Sequence, residues 1–289
     1  MQHREIAHII PAVATSDGAG VKLKRSLGQS AGVRLDPFLM LDEFYSDQPE
    51  DYLAGFPSHP HRGFETVTYM LAGHMLHEDH LGNRGDLGPG DLQWMTAGRG
   101  IIHSEMPQQE SGLMRGFQLW INLPAAEKLC DADYRDIPAA DIPSLAPAPG
   151  ISLRHLAGHC ALPEYELDSS GYINGQDGQP RRSDPLYIDI RLAAGKSLAV
   201  ALNPGHNAFV YAYDGELQIG DRQLTSGQAG VLTAGERLVL HTENGANVLL
   251  LAGQALNEPV VQYGPFVMNS SEEIEQALRD YRDGTLTTG

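Results

Sequence analysis

Cysteine is nearly absent: Cys130 and Cys160 are the only two in 289 residues. That is too few for a disulfide framework or a cysteine-based zinc site, so both are expected to be ordinary thiols. Long apolar runs are missing as well. No stretch approaches the roughly 18 uninterrupted apolar residues that a membrane-crossing helix needs. The opening residues lack the basic-then-apolar order of a secretory leader, and Pro11 interrupts the short apolar stretch that follows. A cytoplasmic chain that stays off the membrane is the expectation. Positive charge is also scarce. Twenty Lys and Arg against 37 Asp and Glu give a net charge of −17. This argues against direct nucleic-acid binding, which needs a basic face, and against adhesion to anionic lipid. Helical periodicity is rare, and the strand–helix alternation of a parallel sheet is lacking.

What remains is a β-rich globular composition, 42% hydrophobic and 20% charged. The length exceeds what one core usually serves, so two domains are expected. Thirty-two glycines and 18 prolines punctuate short runs such as 65–71, 116–122, 186–192, 208–213 and 248–252. Short strands between turn signals indicate an antiparallel sandwich or barrel. A weak internal repeat supports two copies of one β unit: 69–73 resembles 211–215, and 90–98 resembles 227–235. The Pro/Ala-rich stretch 137–150 reads as the linker between one barrel over 1–136 and another over 151–289, and 169–185 reads as a loop. The clearest helix lies at the C-terminal end. Ser270 and Glu273 have capping-box spacing, Ile274, Ala277, Leu278 and Tyr281 form one apolar stripe, and Gly284 supplies the stop.

The residues that carry chemistry are His59-Pro-His61 and, farther along, His103-Ser-Glu105. Residues i and i+2 of a strand share a face, so each pair offers two donors in one direction. Two such strands meeting inside a barrel bring four donors to one point. Three imidazoles and a carboxylate suit Fe, Mn, Co, Ni, Cu or Zn far better than Mg or Ca. On an octahedral ion, two positions stay open for guests. The second copy carries Ala201 and Asn203 where His59 and His61 stand in the first. His241 and Glu243 alone hold an ion poorly, so this copy reads as metal-free. His206 is expected at the surface. His74, His77 and His80 recur every third residue, which alternates faces on a strand, and are given no metal role. His155 and His159 sit in a β-like context and are given none either. Trp94, Met95, Phe117 and Trp120 are core candidates that turn into pocket walls if they face the ion.

Segments 55–69 and 90–107, with 36–44 and the ending 264–274, resemble the hallmark segments of the pirins. The likeness spans nearly the whole chain and is most specific across 34–122. It implies an all-β fold of two tandem cupin-type antiparallel barrels, a bicupin with a short C-terminal helix. It also implies one mononuclear site, most often Fe(II), whose ligands carried over are His59, His61, His103 and Glu105. Several family members are similar in opening the flavonol quercetin with O2. Others act as regulatory binding proteins, as transcription cofactors or partners of metabolic enzymes. The first implies a small aromatic enol and O2 as partners, with Glu105 also the base; the second implies an iron-dependent protein partner. A monomer is expected in either case. One departure from the wider cupin pattern matters: the carboxylate usually found five residues after the second His of His-x-His is here Thr66. Neighbouring Glu65 shares the histidines' face only if the strand stays regular through Gly63, which could bulge it, so Glu65 is expected as a supporting residue or salt-bridge partner, with direct ligation the lesser alternative.

Overall fold

The computed structural model describes residues 2–288, almost entirely as antiparallel strands with one α-helix. Contacts divide the chain into two compact units, each assembled from distant stretches of sequence. One contains Ala14–Gly28, Phe38–Ala139 and the chain from Leu256 onward; the other contains the chain up to Val13, Gln29–Pro37 and Ala140–Ala255.

The first unit holds both histidine motifs. Its larger sheet runs in the order Asp133–Ile137, Leu92–Thr96, Phe64–Ala72, Met114–Asn122, Phe38–Ser46, Val21–Arg25, Val13–Asp17. The smaller runs Phe56–His61, Ile101–Pro107, Met75–Asp79, Arg84–Leu87. Side chains from both sheets share an apolar core: Val21, Leu23, Phe44, Met70 and Met114 from the first meet Met75 and Leu87 from the second.

The second unit is built around a long antiparallel sheet whose interior is aliphatic. Alternation places Ile188, Ile190 and Leu192, then Leu198, Val200 and Leu202, then Val248, Leu250 and Ala252 on the core side. Each such side chain stabilises by about 1.5–3 kcal/mol when removed from water, with alanine contributing less.

The sequence-based boundaries need correction at both ends. Strand Ile6–Pro11 pairs with Gln228–Leu232 and so belongs to the second unit. It is anchored there by Ile6 in the aliphatic core and by buried Arg4, which donates to the carbonyls of Gly235, Thr233, Asn203 and His206. Conversely, hairpin Val261–Tyr263/Phe266–Met268 and helix Ser271–Arg282 belong to the first unit. Within 137–150, residues Ser144–Ala148 form a strand paired with Ile151–Ala157 rather than a free linker. Terminal strands seek whichever sheet edge accepts their apolar face, and that pairing is non-local.

The helix forms as its cap dictates. Ser270 accepts from Glu273 N at 3.2 Å, and the Glu273 carboxylate accepts from the Ser270 backbone at 3.0 Å. Its packed face is narrower than expected: Ile274 and Ala277 are buried, whereas Leu278 and Tyr281 are exposed. Ile274 and Ala277 pack with Phe266, Met268 and Leu286 against Ile102, on the strand that carries His103. The C-terminal segment thus buttresses the histidine strands.

Candidate metal centre

Strand Phe56–His61 lies antiparallel to Ile101–Pro107, with His59 directly opposite His103 and His61 opposite Ile101. The pairing brings three imidazoles together. Ring centroids are 4.7 Å apart for His59–His61, 4.4 Å for His59–His103 and 4.9 Å for His61–His103. One ring nitrogen from each falls within 4.8 Å of the others, the only such group of histidine, cysteine or carboxylate donors among the described residues.

The tautomers suit a cation. His59 Nδ1 donates to the Pro57 carbonyl at 2.8 Å, which leaves the Nε2 lone pair facing His61 Nε2 at 3.0 Å. Two nitrogens bound at right angles to one transition-metal ion, each about 2.1 Å away, stand about 3.0 Å apart. His103 Nε2 is buried and has no protein partner. The donor set therefore fits a single transition-metal ion.

Electrostatics agree. Burial drives His61 and His103 well below the ordinary imidazole range, and the neighbouring rings push the same way. His59 is lowered too, mainly by burial, against the opposing Pro57 carbonyl. All three rings are thus neutral donors near pH 7, as metal binding requires. His61 and His103 are buried while His59 is half-buried, so the group opens on the His59 side.

Glu105 behaves differently from the expected fourth ligand. It is buried on the same strand, but the register against Phe56–His61 slips between His103 and Glu105, and its carboxylate stands outside the imidazole group. Thr68 Oγ1 donates to one carboxylate oxygen at 3.0 Å, and Gln118 Nε2 approaches the other at 3.4 Å. Burial pushes its pKa up to about 7, against the Thr68 hydrogen bond that lowers it.

Glu65 is no ligand. Arg62 and Gly63 (φ +89°) separate the His-x-His strand from Phe64–Ala72, which runs in the other sheet, so alternation from His61 does not carry across. Its carboxylate instead accepts from Trp94 Nε1 at 3.0 Å and Thr96 Oγ1 at 2.8 Å. Of the four aromatic and methionine candidates, Trp120 stands beside the triad, 5.3 Å from His61 and packed on Phe64. Trp94 and Met95 are buried in the core, and Phe117 stacks on Tyr69.

The strand bearing His61 is clamped from behind. Arg62 pairs with Asp280 of the helix at 2.6 Å and donates to the Leu286 carbonyl at 3.2 Å and to the Arg99 carbonyl. Buried Lys128 spends all three ammonium protons, on Gly63 O (2.8 Å), Asn122 Oδ1 (2.7 Å) and Val267 O (2.9 Å).

Two family descriptions match this chain, Pirin over residues 20–121 and the pirin C-terminal cupin domain over residues 187–287. The chain belongs to the pirin family. A Pseudomonas aeruginosa relative, provisionally named a quercetin 2,3-dioxygenase, is 52% identical over 288 residues and covers 99% of both chains. Human pirin is 38% identical over 275 residues, 93% of this chain and 89% of its own. A solved quercetin 2,3-dioxygenase of Acinetobacter baumannii matches with a TM-score of 0.87 at 32% identity over 99% of each chain. The family's bicupin architecture is thus the architecture of this chain.

The second unit shows why the repeat is unequal. Its counterpart positions hold Ala201 and Asn203, and Asn203 is occupied with the Gly205 backbone and His206. His241 bonds Ser197 at 2.8 Å and Glu243 at 3.0 Å. His206 is buried rather than at the surface, 3.3 Å from Asp184. His155 is fully buried against Ser169, and His159 is exposed. One histidine was undervalued by sequence reasoning. His77 is completely buried and touches His103, a contact that only the pairing of Met75–Asp79 with Ile101–Pro107 creates.

Proposed function

We propose that this pirin-family oxidoreductase is of quercetin 2,3-dioxygenase type, opening a flavonol such as quercetin with O2. The reading puts one divalent transition ion, Fe(II) first among the candidates, on His59, His61 and His103, with Glu105, whose carboxylate stands outside the imidazole group, as base and as fourth donor only once an ion draws it in. The observation that carries it is the set of three neutral imidazoles with their donor nitrogens converging, His103 Nε2 left without a protein partner. Bound there, such an ion would supply Lewis acidity toward an enol oxygen and a redox partner for O2.

The chain's own residues do the rest. The half-buried His59 marks the side from which a small guest would reach the ion, and Trp120, packed on fully buried Phe64, sets an apolar ring beside His61. Glu105 takes the enol proton. A carboxyl held near neutrality by burial is matched to a weakly acidic hydroxyl better than an ordinary carboxylate is. Thr68 and Gln118 keep that carboxyl aimed while it changes charge.

Elemental analysis of freshly purified protein, followed by O2 uptake with quercetin, tests the reading. Stoichiometric metal with O2-dependent loss of quercetin is expected. Equal turnover without O2, or none with Fe(II), Mn(II), Ni(II), Co(II), Cu(II) or Zn(II) loaded, refutes it.

A further inference from the structure

Behind the three imidazoles lies a fourth. His77 has no exposed surface, and its Nδ1 lies 3.2 Å from Nδ1 of His103. Its Nε2 lies 3.4 Å from Asp79 Oδ2, in a side-chain pair with no solvent exposure. Tyr134 stacks on the ring, with centroids 4.4 Å apart and planes 23° from parallel. We propose that Asp79 and His77 form a hydrogen-bonded relay that locks His103 in the metal-binding tautomer, making His77 a positioning residue of the centre. This deepens the metal-centre reading and rests on it.

The chain of protons follows from which atoms can donate. Asp79 accepts from Leu81 N (2.9 Å), Asn83 N (3.0 Å) and Asn83 Nδ2 (2.9 Å), so both of its oxygens serve as acceptors. A carboxylate only accepts, so the proton in the His77–Asp79 bond sits on His77 Nε2. A neutral His77 then presents a bare Nδ1. Two bare nitrogens at 3.2 Å would repel, so His103 Nδ1 carries the proton and donates it to His77. That assignment leaves His103 Nε2 as a lone pair, and it is this nitrogen that is buried without a protein partner. Four ring nitrogens in sequence thus agree on one protonation pattern, and each step fixes the next. A partner of this kind both orients the ligand ring and makes its free nitrogen more basic. The usual arrangement sets the carboxylate directly on the ligand histidine; here a second imidazole is interposed.

Cobalt(II) titration of the metal-free full-length protein, read by visible absorption against a competing chelator, tests this without substrate. His77→Leu removes the acceptor, whereas His77→Asn places an amide oxygen close to where Nδ1 stood. The relay predicts a loss of Co(II) affinity of about 10–100-fold for His77→Leu, with His77→Asn within about threefold of wild type. A merely space-filling His77 would not separate the two variants, because Asn fills the pocket no better than Leu. Asp79→Asn gives a second route that leaves His77 in place. Its amide nitrogen turns toward His77 Nε2, reverses the ring's tautomer and sets two N–H groups against each other, so affinity falls about tenfold or more. Wild-type affinity in His77→Leu, equal loss in the Leu and Asn variants, or unchanged binding by Asp79→Asn overturns the relay. Tight Co(II) binding by wild type without quercetin turnover would refute the dioxygenase reading and leave the relay standing.

Discussion

Lys128 offers the sharpest test of how the C-terminal segment supports the metal strands. Its ammonium is buried and bridges three pieces of chain: Gly63, just after His61-Arg62; Asn122, at the end of Met114–Asn122; and Val267, in the terminal hairpin. Lys128→Met keeps the length of the side chain and removes every donor. Breaking a buried charged group typically costs about 3–5 kcal/mol, because the partners are left unsatisfied. Asn122 suffers most, since its Nδ2 already lacks a partner and its Oδ1 would lose the only one it has here. The apolar methionine returns about 1.5–3 kcal/mol through burial. A net destabilisation of about 2 kcal/mol is expected from the middle of those two ranges, a large share of the 5–15 kcal/mol that holds a typical domain together. The assay is urea unfolding followed by tryptophan fluorescence. The chain has two tryptophans, Trp94 and Trp120, and both lie in the first unit, so the signal reports that unit alone. A tryptophan midpoint unchanged in Lys128→Met would refute the argument. So would an equal shift in a far-ultraviolet transition assigned to the second unit.

Three further outcomes are expected. His155 is fully buried, its Nε2 has no partner, and burial lowers its pKa to about 4 from 6.5. The unfolded chain therefore binds the extra proton between those values, so stability is complete above about pH 6.5 and falls by about 3 kcal/mol as pH drops toward 4. Urea midpoints of wild type and His155→Met compared at pH 7 and pH 4.5 check this, and parallel losses in the two proteins would contradict it. Glu105→Gln should retain its metal by elemental analysis while quercetin turnover falls about 10²–10⁴-fold, the usual weight of a general base; undiminished turnover would remove Glu105 from that role. Gly63→Ala should lower the tryptophan-detected stability by about 2 kcal/mol or more, because φ is +89° and a Cβ there would run into the Val267 carbonyl oxygen; an unchanged midpoint would show that the strand junction tolerates a side chain.

The features legible in the sequence are those whose cause is local. Alternation on a strand puts His59 with His61, and a capping box is two residues three apart, so the paired histidines and the helix start could be read directly. Glu65 could not be placed the same way. Counting from His61 assumes one continuous strand, whereas Gly63 turns the chain from the smaller sheet into the larger one, and the carboxylate ends up on Trp94 and Thr96. The domain boundaries failed for a related reason. Strand Ile6–Pro11 and the terminal hairpin are placed by partners more than a hundred residues away, which no window of sequence contains.

His77 shows the same limit in its most useful form. The triplet His74, His77, His80 cannot converge on one ion, and that inference is sound, yet it addresses the wrong question. Only one of the three needs to face inward. His77 does so because Met75–Asp79 pairs with the strand bearing His103 and Glu105, opposite its own Glu105 register position, while His74 turns out to Asp86 and His80 to the Ile102 backbone. A histidine that binds no metal can still decide whether its neighbour does, because an imidazole offers a lone pair at one nitrogen only when the other holds the proton. The determinants of this centre therefore extend one strand beyond its ligands. A chain that kept all three ligand histidines but lost the acceptor at position 77 would match the family motifs in full and still bind its metal poorly.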